Sequence, residues 1–97
     1  MKVRYTTPAQ ADLDEIYTYI SRNNVFAADR IKLQIKADAD LLGEFPFIAR
    51  ESDIPGIRVR KVRRYPYLIF YAVRDDEVQI LHVRHGKRRW PWQEDDD

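Results

Sequence analysis

Seven consecutive side chains, Tyr67-Leu68-Ile69-Phe70-Tyr71-Ala72-Val73, are apolar or aromatic without a break, and five of them are β-branched or aromatic. Such a run is far short of the ~20 residues that cross a bilayer as a helix, and it shows no polar alternation. It predicts a central strand covered on both faces. Everything else in the chain must supply its cover. Arg74-Asp75-Asp76-Glu77 reads as a hairpin turn, and Val78 to Arg84 as the returning strand, with His82 and Arg84 on one face and Leu81, Val83 and His85 on the other. Upstream, Ile57 to Val62 alternates with Ile57 and Val59 inward and Arg58 and Arg60 outward. The parity slips at Val62, so a bulge or a strand end is expected near Lys61.

The first half is helical. Met1 to Thr6 alternates as a short strand and ends at Thr7-Pro8, an N-cap followed by proline at the first helical position, with Gln10 placed for a capping box. Ala9, Leu13, Ile16 and Ile20 then recur at helical spacing, and Arg22-Asn23-Asn24 stops the helix. Asp12, Asp14 and Glu15 are read as early-turn acids favoured by the helix dipole. A second helix runs from about Phe26 to Leu42, with Gly43 as its C-cap and Pro46 beyond. It carries two apolar stripes on nearly opposite sides: Ala28, Ile31, Ile35, Ala39 and Leu42, and then Phe26, Leu33, Ala37 and Leu41. A short connection makes the helices an antiparallel hairpin. Glu44 to Gly56 is a loop with two prolines and a glycine, expected to be anchored by Phe45, Phe47 and Ile48. The fold class expected is therefore α+β: an N-terminal strand, a helical hairpin, and a three-stranded antiparallel meander in one small sheet. Residues 1–89 read as one domain and 90–97 as a short C-terminal tail.

Charge is unevenly spread. Formal net charge is +1 over 97 residues, yet the stretch from Arg58 to Arg89 holds ten Lys or Arg (58, 60, 61, 63, 64, 74, 84, 87, 88 and 89) against acids only at 75, 76 and 77. That exceeds what solubility of a strand edge requires and points to a partner surface. Cations alone do not separate nucleic acid from an acidic protein face. There are no cysteines and only two histidines, which excludes disulfides and thiolate chemistry and leaves no set for an all-protein metal site. No cofactor is expected. With no long apolar span and no secretory signal at the start, a cytoplasmic protein without a membrane partner is expected.

Several segments together carry a resemblance. They are Ala11-Asp12-Leu13 with Ile16 and Tyr19-Ile20, Ala27-Ala28, Leu42 with Phe45-Pro46-Phe47-Ile48, Gly56 with Arg58, Tyr65-Pro66-Tyr67-Leu68-Ile69-Phe70-Tyr71, and Ile80-Leu81-His82-Val83-Arg84-His85 with Arg88. In this order, spanning residues 9 to 89, the chain resembles the RelE/ParE superfamily of type II toxins, the ParE branch in particular. One departure is Ala49, which stands where the family commonly has glycine before the arginine at position 50. The resemblance implies a small toxin held inactive in a hetero-oligomer with a cognate antitoxin. ParE-like members poison DNA gyrase, whereas RelE-like members cut mRNA on the ribosome.

Under the gyrase reading, target binding is assigned to Arg58, Arg60, Arg63, Arg64, Arg84 and Arg88. Under the ribosome and mRNA reading, an endoribonuclease needs a base, cations for the phosphorane-like charge and an acid, for which His85, Arg58 and Arg88 are the candidates. Leu81 and Val83 parity turns His85 toward the core, which favours a structural role. A third reading is an inactive relic that binds only its antitoxin and DNA. The stripe Phe26, Leu33, Ala37 and Leu41 is either roofed by the loop at 44–56 or left as the antitoxin-binding groove for a partner helix. Trp90 and Trp92 either anchor an interface or cap the sheet, and the acids from Glu94 to Asp97 either fray or fold back over the basic face.

Overall fold

The computed structural model describes residues 1–87; Arg88, Arg89, Trp90, Trp92 and the acidic tail, with the readings attached to them, lie outside the described residues. In chain order the elements are β1 (Lys2–Tyr5), α1 (Thr7–Ser21), α2 (Val25–Glu44), β2 (Arg50–Glu51), β3 (Arg58–Lys61), β4 (Tyr67–Arg74) and β5 (Glu77–His85). They build the expected α+β architecture. The sheet has the order β1-β5-β4-β3-β2, so β4 lies at its centre, flanked on both sides by paired strands. Ile69, Phe70, Tyr71 and Ala72 are all buried, as an apolar run covered on both faces requires. Asp75 and Asp76 both take positive φ, 54° and 58°, and close the β4–β5 hairpin as a tight two-residue turn. β1 runs parallel to β5, from Lys2 against Glu77 to Tyr5 against Ile80. That arrangement needs a crossover, and the helical hairpin is part of it.

The helices cover one face only. Ala9 of α1 and Ile35, Ala39 and Leu42 of α2 pack on Tyr67, Ile69 and Tyr71 of β4, on Val78, Ile80 and Val83 of β5, and on Val62. Ile80 and Val83, three apart, both face this core because the register slips between Phe70 and Tyr71: Tyr71 pairs with Ile80 and Phe70 with His82, leaving Leu81 as the extra residue of a bulge. β3 ends at Lys61, and Val62 follows the parity of Arg58 and Arg60, which pair with Tyr71 and Ile69 of the helix-side core, so no slip occurs there.

The N-cap of α1 is Thr6, one residue earlier than expected. Its hydroxyl accepts the Ala9 N–H at 3.3 Å and also donates to the Ile80 carbonyl at 2.8 Å, so one side chain closes β1 and opens α1. This shift removes Gln10 from the capping-box position and leaves no acid in the first turn. The loop at 44–56 contains the two-residue strand β2, paired antiparallel with β3. Phe45, Phe47 and Ile48 are exposed at 53%, 62% and 55% and do not anchor it. Backbone carbonyls do so instead: the Tyr71 hydroxyl donates to the Pro46 carbonyl at 2.8 Å, and Arg58 donates to the Ala49 carbonyl at 2.7 Å.

Gly43 is not a C-cap. It is buried inside α2, which continues to Glu44. A Cβ at this position would stand 2.7 Å from the Met1 carbonyl oxygen and 2.9 Å from Val3 Cγ2, while its own carbonyl accepts from the N-terminal ammonium at 2.7 Å. The glycine lets β1 lie against the last turn of α2. Gly→Ala within a helix ordinarily stabilises by up to about 1 kcal/mol. Here Gly43→Ala is expected to destabilise by roughly 1–3 kcal/mol, because backbone must move to admit the methyl group. Thermal or urea unfolding of the variant reads the sign directly, and a gain in stability would refute the close approach.

Candidate functional site

The basic residues of Arg58 to Lys87 divide into those spent on the fold and those left on the surface. Arg58 and Arg60 were expected to point outward. They pair with Tyr71 and Ile69 across β3–β4 and therefore share the helix-facing side of the sheet. Val59, paired with Phe70, takes the opposite side. Arg60 reaches under α2 to Asp38, donating from Nε at 3.2 Å and Nη2 at 2.8 Å. The guanidinium of Arg58 lies 5.0 Å from the centre of the Phe47 ring and 3.7 Å from Glu51 while it holds the Ala49 carbonyl. Arg84 is half-buried, with Nη1 3.9 Å from Asp12 and a buried Nε that has no partner among the described residues.

Of the five exposed cations in this stretch, Arg74 stands beside the β4–β5 hairpin and the other four collect at the opposite end of the sheet. Lys61 closes β3, Arg63 and Arg64 form the connection to β4, and Lys87 follows β5. Gly86 N–H donates to the Pro66 carbonyl at 2.6 Å, which brings the end of β5 against the β3–β4 connection. Arg64 takes φ 71°, a left-handed conformation uncommon for a side chain of this size. Val62 N–H to the Tyr67 carbonyl, and Tyr67 N–H to the Tyr65 carbonyl, both 2.9 Å, brace the same turn.

Two buried aspartates, absent from the sequence-derived site, organise this end. Asp38 accepts from Gln34 Nε2 at 2.9 Å, from Arg60, and from the backbone N–H of Arg63 at 3.1 Å. Burial by itself would raise its pKa. The hydrogen bonds from Gln34, Arg60 and Arg63, with the charge of Arg60, outweigh burial and hold the carboxyl below its ordinary value. Asp12 of α1 accepts from the Val83 N–H at 3.0 Å and lies 2.9 Å from His82 Nδ1. It is not a dipole-favoured first-turn acid; it completes β5 where β1 has already left it for α1. Both residues sit at core spacing, Asp12 between Ala9 and Ile16, and Asp38 between Ile35 and Leu42. A carboxylate at a core position of an amphipathic helix was the signal available in the sequence.

His85 faces the helix side, as its parity with Val83 requires. Its Nδ1 accepts the Lys87 N–H at 3.1 Å, so the neutral ring carries its proton on Nε2, and its ring meets Tyr67 edge-on at 5.4 Å. It lines a cleft of about 360 Å³ with Tyr19 and Glu15 of α1. His85 is opposite Tyr67 and Arg58 is opposite Tyr71, four residues further along β4, which is roughly 13 Å of strand. The structure does not bring these two nuclease candidates together, and Arg88 lies outside the described residues.

On the far side of α2, the stripe Phe26, Leu33, Ala37 and Leu41 is largely open. Phe26 and Leu33 are 79% and 66% exposed, Ala37 is exposed and Leu41 half-buried. The loop at 44–56 does not roof Phe26, Leu33 or Ala37. Phe45, the C-cap residue just past the helix, is exposed as well. Among the described residues no helix is long and apolar enough to cross a membrane.

Comparison with known proteins adds the following. The sequence model described as ParE toxin of type II toxin-antitoxin system, parDE, matches residues 3–90. The toxin RelE2 of Caulobacter vibrioides is 37% identical over 90% of this chain and 97% of its own length. The solved chromosomal ParDE toxin-antitoxin system from P. aeruginosa contains a chain of 28% identity and TM-score 0.79, covering 90% of this chain and 97% of that one. The toxin-antitoxin complex RelBE2 from Mycobacterium tuberculosis contains one of 26% identity and TM-score 0.64, covering 87% and 95%.

Because the folded-state pKa of Asp38 is lowered, its stabilising contribution is fully present above the ordinary carboxylate value, 3.8, and is lost as pH falls through the lower folded value. Urea midpoints between about pH 2.5 and 6 should show this loss in the native protein, and Asp38→Asn should flatten that part of the profile. An unchanged slope in the variant would remove Asp38 as its source.

Proposed function

The chain belongs to the ParE toxin family and is a toxin of a type II toxin-antitoxin system, and from that premise we propose that it acts by binding DNA gyrase through the basic end of its sheet. The observation that carries this reading is the separation of the cations into two groups. Lys61, Arg63, Arg64 and Lys87 stand exposed on one rim, whereas Arg60 is bound to Asp38 inside the fold. A rim of exposed cations attracts an acidic or nucleic-acid-bearing target and fixes its approach. Of the six arginines first assigned to the target, Arg63 and Arg64 are proposed as its direct contacts and Arg84 as a flanking one. Arg58 and Arg60 support the surface from beneath.

A self-contained catalytic site is not part of this reading. General acid–base cleavage of RNA requires the titrating group and the cations within reach of one phosphate. His85 and Arg58 lie on different strands, β5 and β3, on opposite sides of β4 and at different heights along it. Ribosome-dependent cleavage remains the second reading, favoured by the similarity to RelE2. The cytoplasm is the compartment in which both proposed targets are met.

Neutralisation is assigned to a cognate antitoxin that lays an amphipathic helix along Phe26, Leu33, Ala37 and Leu41, giving a hetero-oligomer. The exposure of Phe26 and Leu33 supports this assignment, since large apolar side chains aligned on one open helix face mark an interaction surface.

Two measurements test these proposals. Purified toxin should inhibit gyrase supercoiling and leave mRNA intact in a translating extract, with Arg63→Ala/Arg64→Ala weakening inhibition about tenfold or more. Cleaved mRNA with normal supercoiling would replace the reading with the ribosomal one, and no effect in either assay would indicate a relic. Leu33→Asp/Leu41→Asp should abolish antitoxin pull-down while the protein stays folded, because two charges would be buried against the partner helix. Undiminished capture would place the antitoxin elsewhere.

A further inference from the structure

We propose that Asp38 is the positioning residue of the target-binding rim: from within α2 it sets the conformation of the β3–β4 connection that displays Arg63 and Arg64. The inference rests on the reading of that rim as the target contact. Its geometry is direct. One carboxylate, 2% exposed, accepts the Arg63 backbone N–H, binds the Arg60 guanidinium two strand positions before the turn begins, and is itself oriented by Gln34 one helical turn away.

The next residue, Arg64, is held at φ 71° with its side chain exposed. A long side chain in the left-handed region persists only where the surroundings over-determine it, and such strain is a pointer to function. The surroundings are now identifiable. The Asp38 carboxylate fixes Arg63 on one side of Arg64, and Tyr65 and Pro66 on the other are tied to Tyr67 and Gly86 by backbone hydrogen bonds.

A buried ion pair is also an inefficient way to gain stability, because desolvating both charges offsets most of their attraction. What the Asp38–Arg60 pair supplies that an apolar pair could not is a charged acceptor at a defined point beneath the turn. Arg63 and Arg64 are thereby presented as a rigid pair, and their side chains remain free of intramolecular ion pairs among those identified in the described residues.

The test compares native toxin, Asp38→Asn and Arg63→Ala/Arg64→Ala by amide hydrogen exchange, gyrase inhibition and antitoxin pull-down. Asp38→Asn is expected to exchange the Arg63 amide about tenfold faster or more, to inhibit gyrase about tenfold less well, and to bind antitoxin unchanged. Asp38→Glu should recover part of the inhibition, since it keeps the charge. If Asp38→Asn does not fold, Asp38→Asn/Arg60→Gln, neutral on both sides, takes its place. Full inhibition by the Asp38 variant, or an unchanged Arg63 amide, while Arg63→Ala/Arg64→Ala loses inhibition, would overturn the positioning role alone. Full inhibition by Arg63→Ala/Arg64→Ala would overturn the rim as the target contact, and this inference with it.

Discussion

Backbone groups at the uneven ends of a small sheet must find partners, and two aspartates do that work here. β1 pairs with β5 only as far as Ile80, so the Val83 N–H beyond it has no neighbouring strand; Asp12 accepts it from α1. β3 stops at Lys61, and the Arg63 N–H beyond it is accepted by Asp38 from α2. Each helix thus closes one defect in the sheet it covers. These bonds also fix the helical hairpin in register with the strands, which apolar packing alone does less specifically. A carboxyl group in a largely apolar layer is tolerable only when it is bound: both oxygens of Asp38 accept hydrogen bonds, and Asp12 Oδ2 lies between the Val83 N–H and His82.

The same arrangement divides the cations. Arg60 is consumed by Asp38 and Arg58 by the loop that carries Ala49, whereas Arg63, Arg64, Lys61 and Lys87 reach solvent at one end of the sheet. α2 is likewise divided. Ile35, Ala39 and Leu42 face the core, Asp38 reaches the turn beneath the cationic rim, and Leu33 and Ala37 are left open on the other side. A single helix therefore carries the apolar stripe proposed for the antitoxin and the carboxylate beneath the surface proposed for the target. Gly43 completes this helix by letting β1 pass against its last turn.

Much of this was legible in the residues themselves. The unbroken apolar run of β4 required two covered faces; the two stripes of α2 required two environments; Arg74-Asp75-Asp76-Glu77 between two strand-like segments required a hairpin. The resemblance carried by Tyr65 to Tyr71 and Ile80 to His85 pointed to the right family. What misled were positions whose role depends on a distant partner. Gly43 next to Phe45-Pro46 has the local form of a helix stop, but the backbone of Met1 is what demands a glycine there. Phe45, Phe47 and Ile48 look like anchors in composition, yet the loop is held by its carbonyls and the side chains are turned outward.

The sequence by itself determined the two helices and the four longer strands in their order, the central strand, the second apolar stripe of α2 and the concentration of positive charge, because these follow from local periodicity and from charges counted along the chain. Only the tertiary structure decided which arginines are free. Alternation along β3 assigned Val59 to the core and Arg60 to solvent; Val59 is buried, on the side away from the helices, but Arg60 turns to the helix side, since the buried carboxylate of Asp38, 22 residues away, offered it a partner there. A two-residue period says that neighbours face opposite ways; it does not say which way is inward when both faces of the sheet are covered.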